Sequence, residues 1–131
     1  MNKRINKLPA IKKQLGLTMI SWIIIIVFLL FQAVIAMNVV PVYLTDSSVK
    51  SIMEELPADP KAREATVKEL KLLVTKRLRI NNVTTVKSDD IKVKKGRGEN
   101  IVTIDYEPRG KLIGNLEYIV HFQHEARVPS R

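Results

Sequence analysis

A long uncharged apolar run near the N-terminus decides what this chain can fold into. No charged residue occurs between Gln14 and Thr45, and the most apolar part, Leu17–Val40, is 24 residues long. As an α-helix that rises about 1.5 Å per residue, it would extend about 36 Å, whereas the hydrocarbon core of a bilayer is roughly 30 Å thick. The run therefore predicts a membrane-spanning helix followed by one small domain.

Charges on either side of the run predict its orientation. Met1–Lys13 contains five basic residues and no acid, whereas Asp46–Pro60 contains four acids and one lysine. Basic flanks of a span remain in the cytoplasm. We therefore expect a basic cytoplasmic segment (1–16), a transmembrane helix (17–44) and a small periplasmic domain (45–131). The expected location is a bacterial inner membrane.

Two alternatives to a permanent anchor remain open. A secretory signal has a shorter apolar core, of roughly 7–15 residues, and then a small-x-small cleavage site. Ala33-Val-Ile-Ala36-Met could be read as a cleavage site, but it lies inside the run. Type IV prepilins have a basic leader that ends in glycine, and Gly16 resembles that glycine. A pilin-like subunit cleaved after Gly16 is therefore the alternative, although Ser21 stands where pilins carry an assembly glutamate.

The residues after the run predict two helices. Pro41 lacks an N–H, so we expect the helix to bend or end near it, with Asp46–Ser48 capping a new turn. Asp59-Pro60 is a typical start for the next helix. Apolar residues recur at helical spacing in both segments: Val49, Ile52, Met53 and Leu56 in the first, and Val67, Leu70, Val74 and Leu78 in the second.

Alternating apolar and polar residues predict three strands in the remainder. They cover Ile91–Lys94, Val102–Tyr106 and Leu116–Gln123, and we expect the last residues, from Val128, to be frayed. Short links between the strands favour antiparallel pairing, with a helix covering the apolar face. The predicted fold class is α+β: an N-terminal transmembrane helix, then one or two short helices packed on a small three-stranded antiparallel sheet.

Few residues indicate chemistry. The chain has no cysteine, which excludes thiolate catalysis and thiolate metal sites. His121 and His124 are three residues apart, so on a strand they would face opposite sides and would not share a metal. Ser48 and Lys50 form no recognisable catalytic pair, because nothing brings their side chains together. We expect no catalytic residue, cofactor or metal.

A basic turn is a candidate anion contact. It contains Lys92, Lys94, Lys95 and Arg97. Nucleic-acid readers usually add stacking aromatics or a reading helix, and aromatics are 5% of this chain. The expected periplasmic location also argues against nucleic acid. Lipid headgroups or an acidic protein patch are the favoured anions, with a solvated turn as the simpler interpretation.

The whole chain resembles a proteobacterial family of short single-span proteins of unknown function. The resemblance rests on Gly16-Leu-Thr-Met-Ile-Ser-Trp22, on Val40-Pro-Val-Tyr-Leu44 and on Ser48-Val-Lys50. Genes of that family often lie beside those for signal peptidase I and ribonuclease III. The resemblance implies a location and a possible partner, signal peptidase I, but no activity. We expect a non-enzymatic accessory or scaffold of an envelope complex.

Small and polar residues form a stripe along the apolar helix. Thr18, Ser21, Gln32 and Ala36 fall on one face, with Ile25 between them. Helices associate in membranes through such residues, because small side chains permit close approach and polar ones form hydrogen bonds across the contact. We predict that this stripe binds an integral membrane partner or a second copy of the chain.

The charge asymmetry yields a test of orientation. A reporter enzyme that is active only in the periplasm should be active when fused after Arg131. Activity of a cytoplasm-only reporter at the same position would contradict the orientation and reopen the nucleic-acid interpretation.

Overall fold

The computed structural model describes residues 19–130, which fall into two compact units that divide between Ala33 and Val34. The elements are α1 (Met19–Glu55), α2 (Pro60–Glu64), α3 (Val67–Ile80), β1 (Ile91–Lys95), β2 (Glu99–Tyr106), β3 (Arg109–Ile113), β4 (Leu116–Ile119) and β5 (Phe122–Pro129). Short 3-10 turns lie at Leu56–Ala58 and Ser88–Asp90. The fold class is α+β, as predicted.

The helix α1 continues through Pro41, so a helix end at this proline, one of the two predicted outcomes, is wrong. Proline removes one helical N–H, and nearby side chains form additional hydrogen bonds to backbone carbonyls of these turns. Asn38 Nδ2 donates to the carbonyl of Val34 (2.8 Å), and Thr45 Oγ1 donates to the carbonyl of Pro41 (3.0 Å). Asp46–Ser48 therefore lie inside the helix and do not cap a new one.

The last turns of α1 form part of the hydrophobic core of the second unit. The predicted apolar face is confirmed, because Val49, Ile52, Met53 and Leu56 are all buried. The 3-10 turn that begins at Leu56 packs against β5. A membrane-type helix and the soluble core are thus built from one helical element.

The second predicted helix is two helices with separate caps. Asp59 caps α2 by accepting a hydrogen bond from the Lys61 N–H (2.9 Å), and Pro60 is the first helical residue, as predicted. Thr66 and Glu69 then form a capping box at the start of α3. These hydrogen bonds to Thr66 hold the pKa of Glu69 below its usual value. The buried face of α3, which includes Leu70 and Val74, packs against β1.

The main sheet has the strand order β1-β2-β5 and is antiparallel throughout. Buried side chains on β2 alternate with partly exposed ones, so one face lies on the core and the other meets solvent. Three strands were predicted, but the third is Phe122–Pro129 and not Leu116–Gln123. Val128 is fully buried at its end, so the prediction of a frayed C-terminal segment is wrong for this residue.

Residues 109–119 form a separate two-stranded hairpin, β3–β4. Gly114 has a φ of 56°, which a glycine adopts without strain at the turn. The Val120 N–H donates to the Pro108 carbonyl (3.1 Å) and closes the base of the hairpin. The alternation from Leu116 to Phe122 therefore does not belong to one strand; it crosses from β4 of the hairpin to β5 of the main sheet.

Substitution of two leucines on α3 tests which face of this helix contributes to the free energy of unfolding. Leu70 is 0% exposed and Leu72 is 62% exposed. We expect Leu70→Ala to lower the free energy of unfolding by about 2–5 kcal/mol, because it leaves a cavity in the core. Leu72→Ala should change it by less than about 0.5 kcal/mol. Denaturant unfolding of the detergent-solubilised protein measures both, and equal effects would contradict this packing.

Candidate functional site at the membrane boundary

Two hydrogen-bond donors meet on one oxygen of Asp46, two residues beyond the predicted span. The Tyr106 hydroxyl donates to Asp46 Oδ1 (2.8 Å), and His124 Nε2 lies 2.6 Å from the same atom. An ionised carboxylate only accepts hydrogen bonds, so Nε2 of His124 carries a hydrogen in this contact. The side chains of Asp46 and His124 are only 14% and 18% exposed. The contact joins α1 to the ends of β2 and β5.

Burial and the nearby carboxylate determine the protonation of Tyr106. Burial of the side chain contributes most, followed by the hydrogen bond to Asp46 and its negative charge, and together they raise the pKa of Tyr106 well above its ordinary value. The hydroxyl therefore remains protonated and remains a donor across the physiological range.

Contacts between aromatic rings also join α1 to the sheet near Asp46. The ring of Phe122 meets Tyr43 of α1 edge to face, with a centroid distance of 5.6 Å, and it lies 5.6 Å from the ring of Tyr106. Such pairs contribute about 0.5–1.5 kcal/mol beyond their buried area. We call the five residues Tyr43, Asp46, Tyr106, Phe122 and His124 the helix-exit clamp, because they hold α1 against the sheet just after the apolar run.

A second attachment lies closer to the N-terminus of α1. The Tyr118 hydroxyl donates to the backbone carbonyl of Asn38 (3.1 Å). The ring of Tyr118 lies over Gly110, where a Cβ would come within 2.4 Å of it. Glycine at this position therefore permits the tyrosine to reach the helix. A cleft of about 250 Å³ between the two attachments is lined by Asn38, Pro41, Val42, Thr45, Thr85, Tyr106, Pro108, Arg109 and Tyr118.

The two histidines contact different aspartates. His121 Nε2 lies 2.5 Å from Asp105 Oδ1 at an exposed position, while His124 contacts Asp46. Within residues 19–130, no group of three or more His, Asp or Glu side chains is arranged to hold a metal ion. The sequence predicted no metal site for His124, and its contact with Asp46 was not predicted.

Ser48 and Lys50 do not interact with each other through their side chains in the described contacts. Ser48 Oγ donates to the Leu44 carbonyl (3.3 Å) one turn earlier in the same helix. Lys50 Nζ lies 3.8 Å from Glu54 Oε1, also on α1, and both side chains are more than 60% exposed. The geometry therefore gives both residues local roles on the helix surface.

The predicted helix–helix stripe lies on α1, except for Thr18, which is outside the described residues. Ile25, Gln32 and Ala36 are exposed, and Ser21 is half-buried. Exposure leaves these side chains accessible to a neighbouring helix. Their role in binding a partner remains a prediction.

The basic residues of the predicted anion-contact turn do not all lie on the same face of the sheet. Lys92 and Lys94 pair opposite Thr103 and Ile101 on the outward face, whereas Lys95 pairs opposite buried Asn100 on the helix side. Arg97 lies in the turn after β1, and all four basic side chains are exposed.

This turn lies at the far end of the sheet from the helix-exit clamp. The strand β2 runs from Glu99 beside the turn to Tyr106 in the clamp, which is about 23 Å at 3.3 Å per residue. Anion binding by the turn remains a prediction. Both candidate anions, lipid headgroups and an acidic protein patch, remain open.

A cleft of about 450 Å³ adjoins the same end of the sheet. It is lined by Lys95, by Asn100 and by residues at the start of α3, and Asn100 Oδ1 has no hydrogen-bond partner there. Asn100 Oδ1 is an amide oxygen, which accepts hydrogen bonds and does not donate them. The capping box already uses the Thr66 and Glu69 N–H groups, so the helix start offers fewer free donors for an anion.

The raised pKa of Tyr106 makes the clamp measurable by pH titration. Because the folded state favours the protonated phenol, the free energy of unfolding should fall as pH rises above the ordinary tyrosine pKa of about 10. Tyrosinate absorbance should show one late-titrating tyrosine among the three in the chain. Tyr106→Phe should remove this late step; the same late step in both proteins would contradict the assignment.

Comparison with known proteins gives one family. The family model described as a domain of unknown function (DUF4845) matches residues 38–122, about two thirds of the chain. No curated protein and no solved structure matches the chain. The matched segment begins at Asn38, where the hairpin contacts α1, and ends at Phe122 of the clamp. The chain therefore belongs to the family of the domain of unknown function DUF4845.

Proposed function

We propose that this protein is a single-span membrane protein whose domain is held at the membrane surface as a non-enzymatic accessory or scaffold. The supporting observation is the lack of a linker between Val34 and Leu56. The second folded unit begins at Val34, inside the apolar run, and α1 continues into the buried core at Val49. A domain attached in this way stays close to the bilayer, where its partners would also be embedded.

The apolar helix supports the membrane assignment by length and composition. Among the described residues, Met19–Ala58 contains a helix long and apolar enough to span a bilayer, with a mean hydropathy of 2.8 in its most apolar 18-residue window. Signal sequences near an N-terminus have the same properties. The inner-membrane location and the periplasmic domain are part of the proposal, and they rest on the charge asymmetry of the flanks.

Signal peptidase I is the first partner to test, because the family resemblance implies a neighbouring gene. A photo-crosslinking amino acid at Gln32 would contact a partner within the bilayer. Recovery of signal peptidase I in the crosslinked band from native membranes would support the proposal. Crosslinks at Gln32 to lipid alone would contradict a partner at this face.

A pilin-like subunit is the second candidate, favoured by the continuous 37-residue helix α1 whose C-terminal turns pack beneath a sheet. The cleavage position Gly16-Leu17 lies outside the described residues. The intact mass of protein extracted from membranes separates the candidates. We expect residues 1–16 to be retained, apart from the initiator methionine, and their loss would favour the pilin-like subunit.

The stripe on α1 yields a test of association. Gln32 is an amide in the middle of the apolar run, and Gln32→Leu should weaken association with the membrane partner, or with a second copy, while insertion is unchanged. The expected loss is about 0.6–2 kcal/mol, as for an interhelical hydrogen bond. Co-purification or crosslinking yield from membranes measures it.

Ile24→Leu is the matched control, because it changes an apolar residue on a different face of the same helix. It should leave association unchanged. Equal effects from both substitutions, or no effect from either, would rule out the stripe and direct attention to the folded domain.

A further inference from the structure

The β3–β4 hairpin exposes an apolar tip that the folded core does not cover. Beside the turn, Ile113 and Leu116 are 47% and 57% exposed, and Ile119 at the base of the hairpin is 57% exposed. No residue of β3 or β4 belongs to the buried core of the described chain. A two-stranded hairpin with exposed apolar side chains is marginal in water. The surroundings of the hairpin therefore have to supply contacts for these exposed apolar side chains.

Two contacts show the direction in which the hairpin extends. At its base, Tyr106 meets Asp46 of α1, whereas Tyr118 of β4 meets Asn38. Asn38 lies eight residues before Asp46, which is about 12 Å along the helix. The hairpin therefore runs from the clamp toward the apolar part of α1.

The tip lies beyond the Tyr118 contact. Leu116 and its partner Ile113 are two or more residues further along the strands, about 6–7 Å past Tyr118. Asn38 itself is inside the apolar run Leu17–Val40. The tip is thus placed beside a helix segment whose own surroundings are expected to be lipid.

The basic and aromatic side chains of the hairpin suit a bilayer boundary, and its exposed acid, Glu117, is paired opposite Lys111. Arg109 and Lys111 are exposed on β3, where long basic side chains can reach headgroup phosphates while their apolar stems stay in the interface. Tyr118, on β4, is an aromatic residue, and such residues are enriched at membrane interfaces. Interfacial elements of this composition bury about 5–10 Å into the boundary between headgroups and acyl chains.

We propose that the β3–β4 hairpin inserts its apolar tip, Ile113 and Leu116, into the outer boundary of the bilayer that α1 spans. This inference rests on the single-span assignment proposed above. The domain then contacts the membrane at two points, the helix and the hairpin, and the Tyr118–Asn38 hydrogen bond sets the distance between them. Two contacts restrict rotation of the domain about the helix axis.

A fluorescent label can test the proposal, since the chain contains no cysteine and one introduced cysteine gives one labelled site. The full chain carrying Leu116→Cys is labelled and reconstituted at one copy per nanodisc, with lipids that carry a quencher in the upper acyl chain. Leu72→Cys, at a similarly exposed leucine on α3, is the control. Ile113→Cys, across the turn, repeats the measurement.

We expect the lipid quencher to reduce the fluorescence at Leu116→Cys several-fold more than at Leu72→Cys. Equal quenching at the two sites would overturn the proposal. A label at Leu116→Cys that is shielded from a water-soluble quencher, but not quenched by lipid, would also overturn it and would identify a protein as the occupant.

A third label separates this proposal from the one on which it rests. Ile24→Cys lies in the apolar run and should be quenched by lipid if α1 spans the bilayer. Quenching at Ile24→Cys without quenching at Leu116→Cys overturns the hairpin insertion alone. No quenching at Ile24→Cys overturns the single-span assignment.

Discussion

The shared hydrogen bonds of Asp46 determine how the domain is attached to its helix. A carboxylate two residues beyond a predicted span is costly to place near lipid unless its charge is partnered. Tyr106 and His124 supply donors from neighbouring strands, where they are diagonal neighbours because the register pairs Tyr106 with Phe122 and His124 with Ile104. The polar group that interrupts the apolar surface of α1 is therefore also the group that orients the sheet, and the aromatic contacts of Phe122 follow from that orientation.

Local spacing made most of the elements predictable. Val49, Ile52 and Met53 recur with the period of a helix, and each is buried. Asp59-Pro60 marks a helix start because the cap and the fixed φ of proline act over a few residues. The alternation of apolar and polar residues on β2 also acts over a few residues, and it predicts a half-buried strand. Each of these patterns depends on neighbours within about four residues, so these elements can be predicted from the sequence alone.

The features that were not predicted depend on distant partners. The hydrogen bonds of Asp46 join residues 60 and 78 positions apart, and nothing near Asp46 in the sequence indicates them. Pro41 favours a helix end locally, but α1 continues through it and into the core of the second unit. Alternation from Leu116 to Phe122 is continuous in sequence, yet pairing with β3 assigns its first half to another sheet. Two features of the sequence could have indicated the clamp: a carboxylate at the end of a span, and a histidine on the inward face of a strand.

The strand order of the main sheet has a consequence for proteins crowded into a membrane plane. In the described chain, β1 and β5 each pair with β2 alone, so each leaves one edge of backbone N–H and carbonyl groups open to another strand. Confinement to two dimensions raises the local concentration of such edges and with it the risk of edge-to-edge aggregation. The lysines of β1 repel a like strand, and Pro129 removes a donor from the end of β5. The charge of the β1 lysines therefore disfavours edge-to-edge pairing without requiring a ligand.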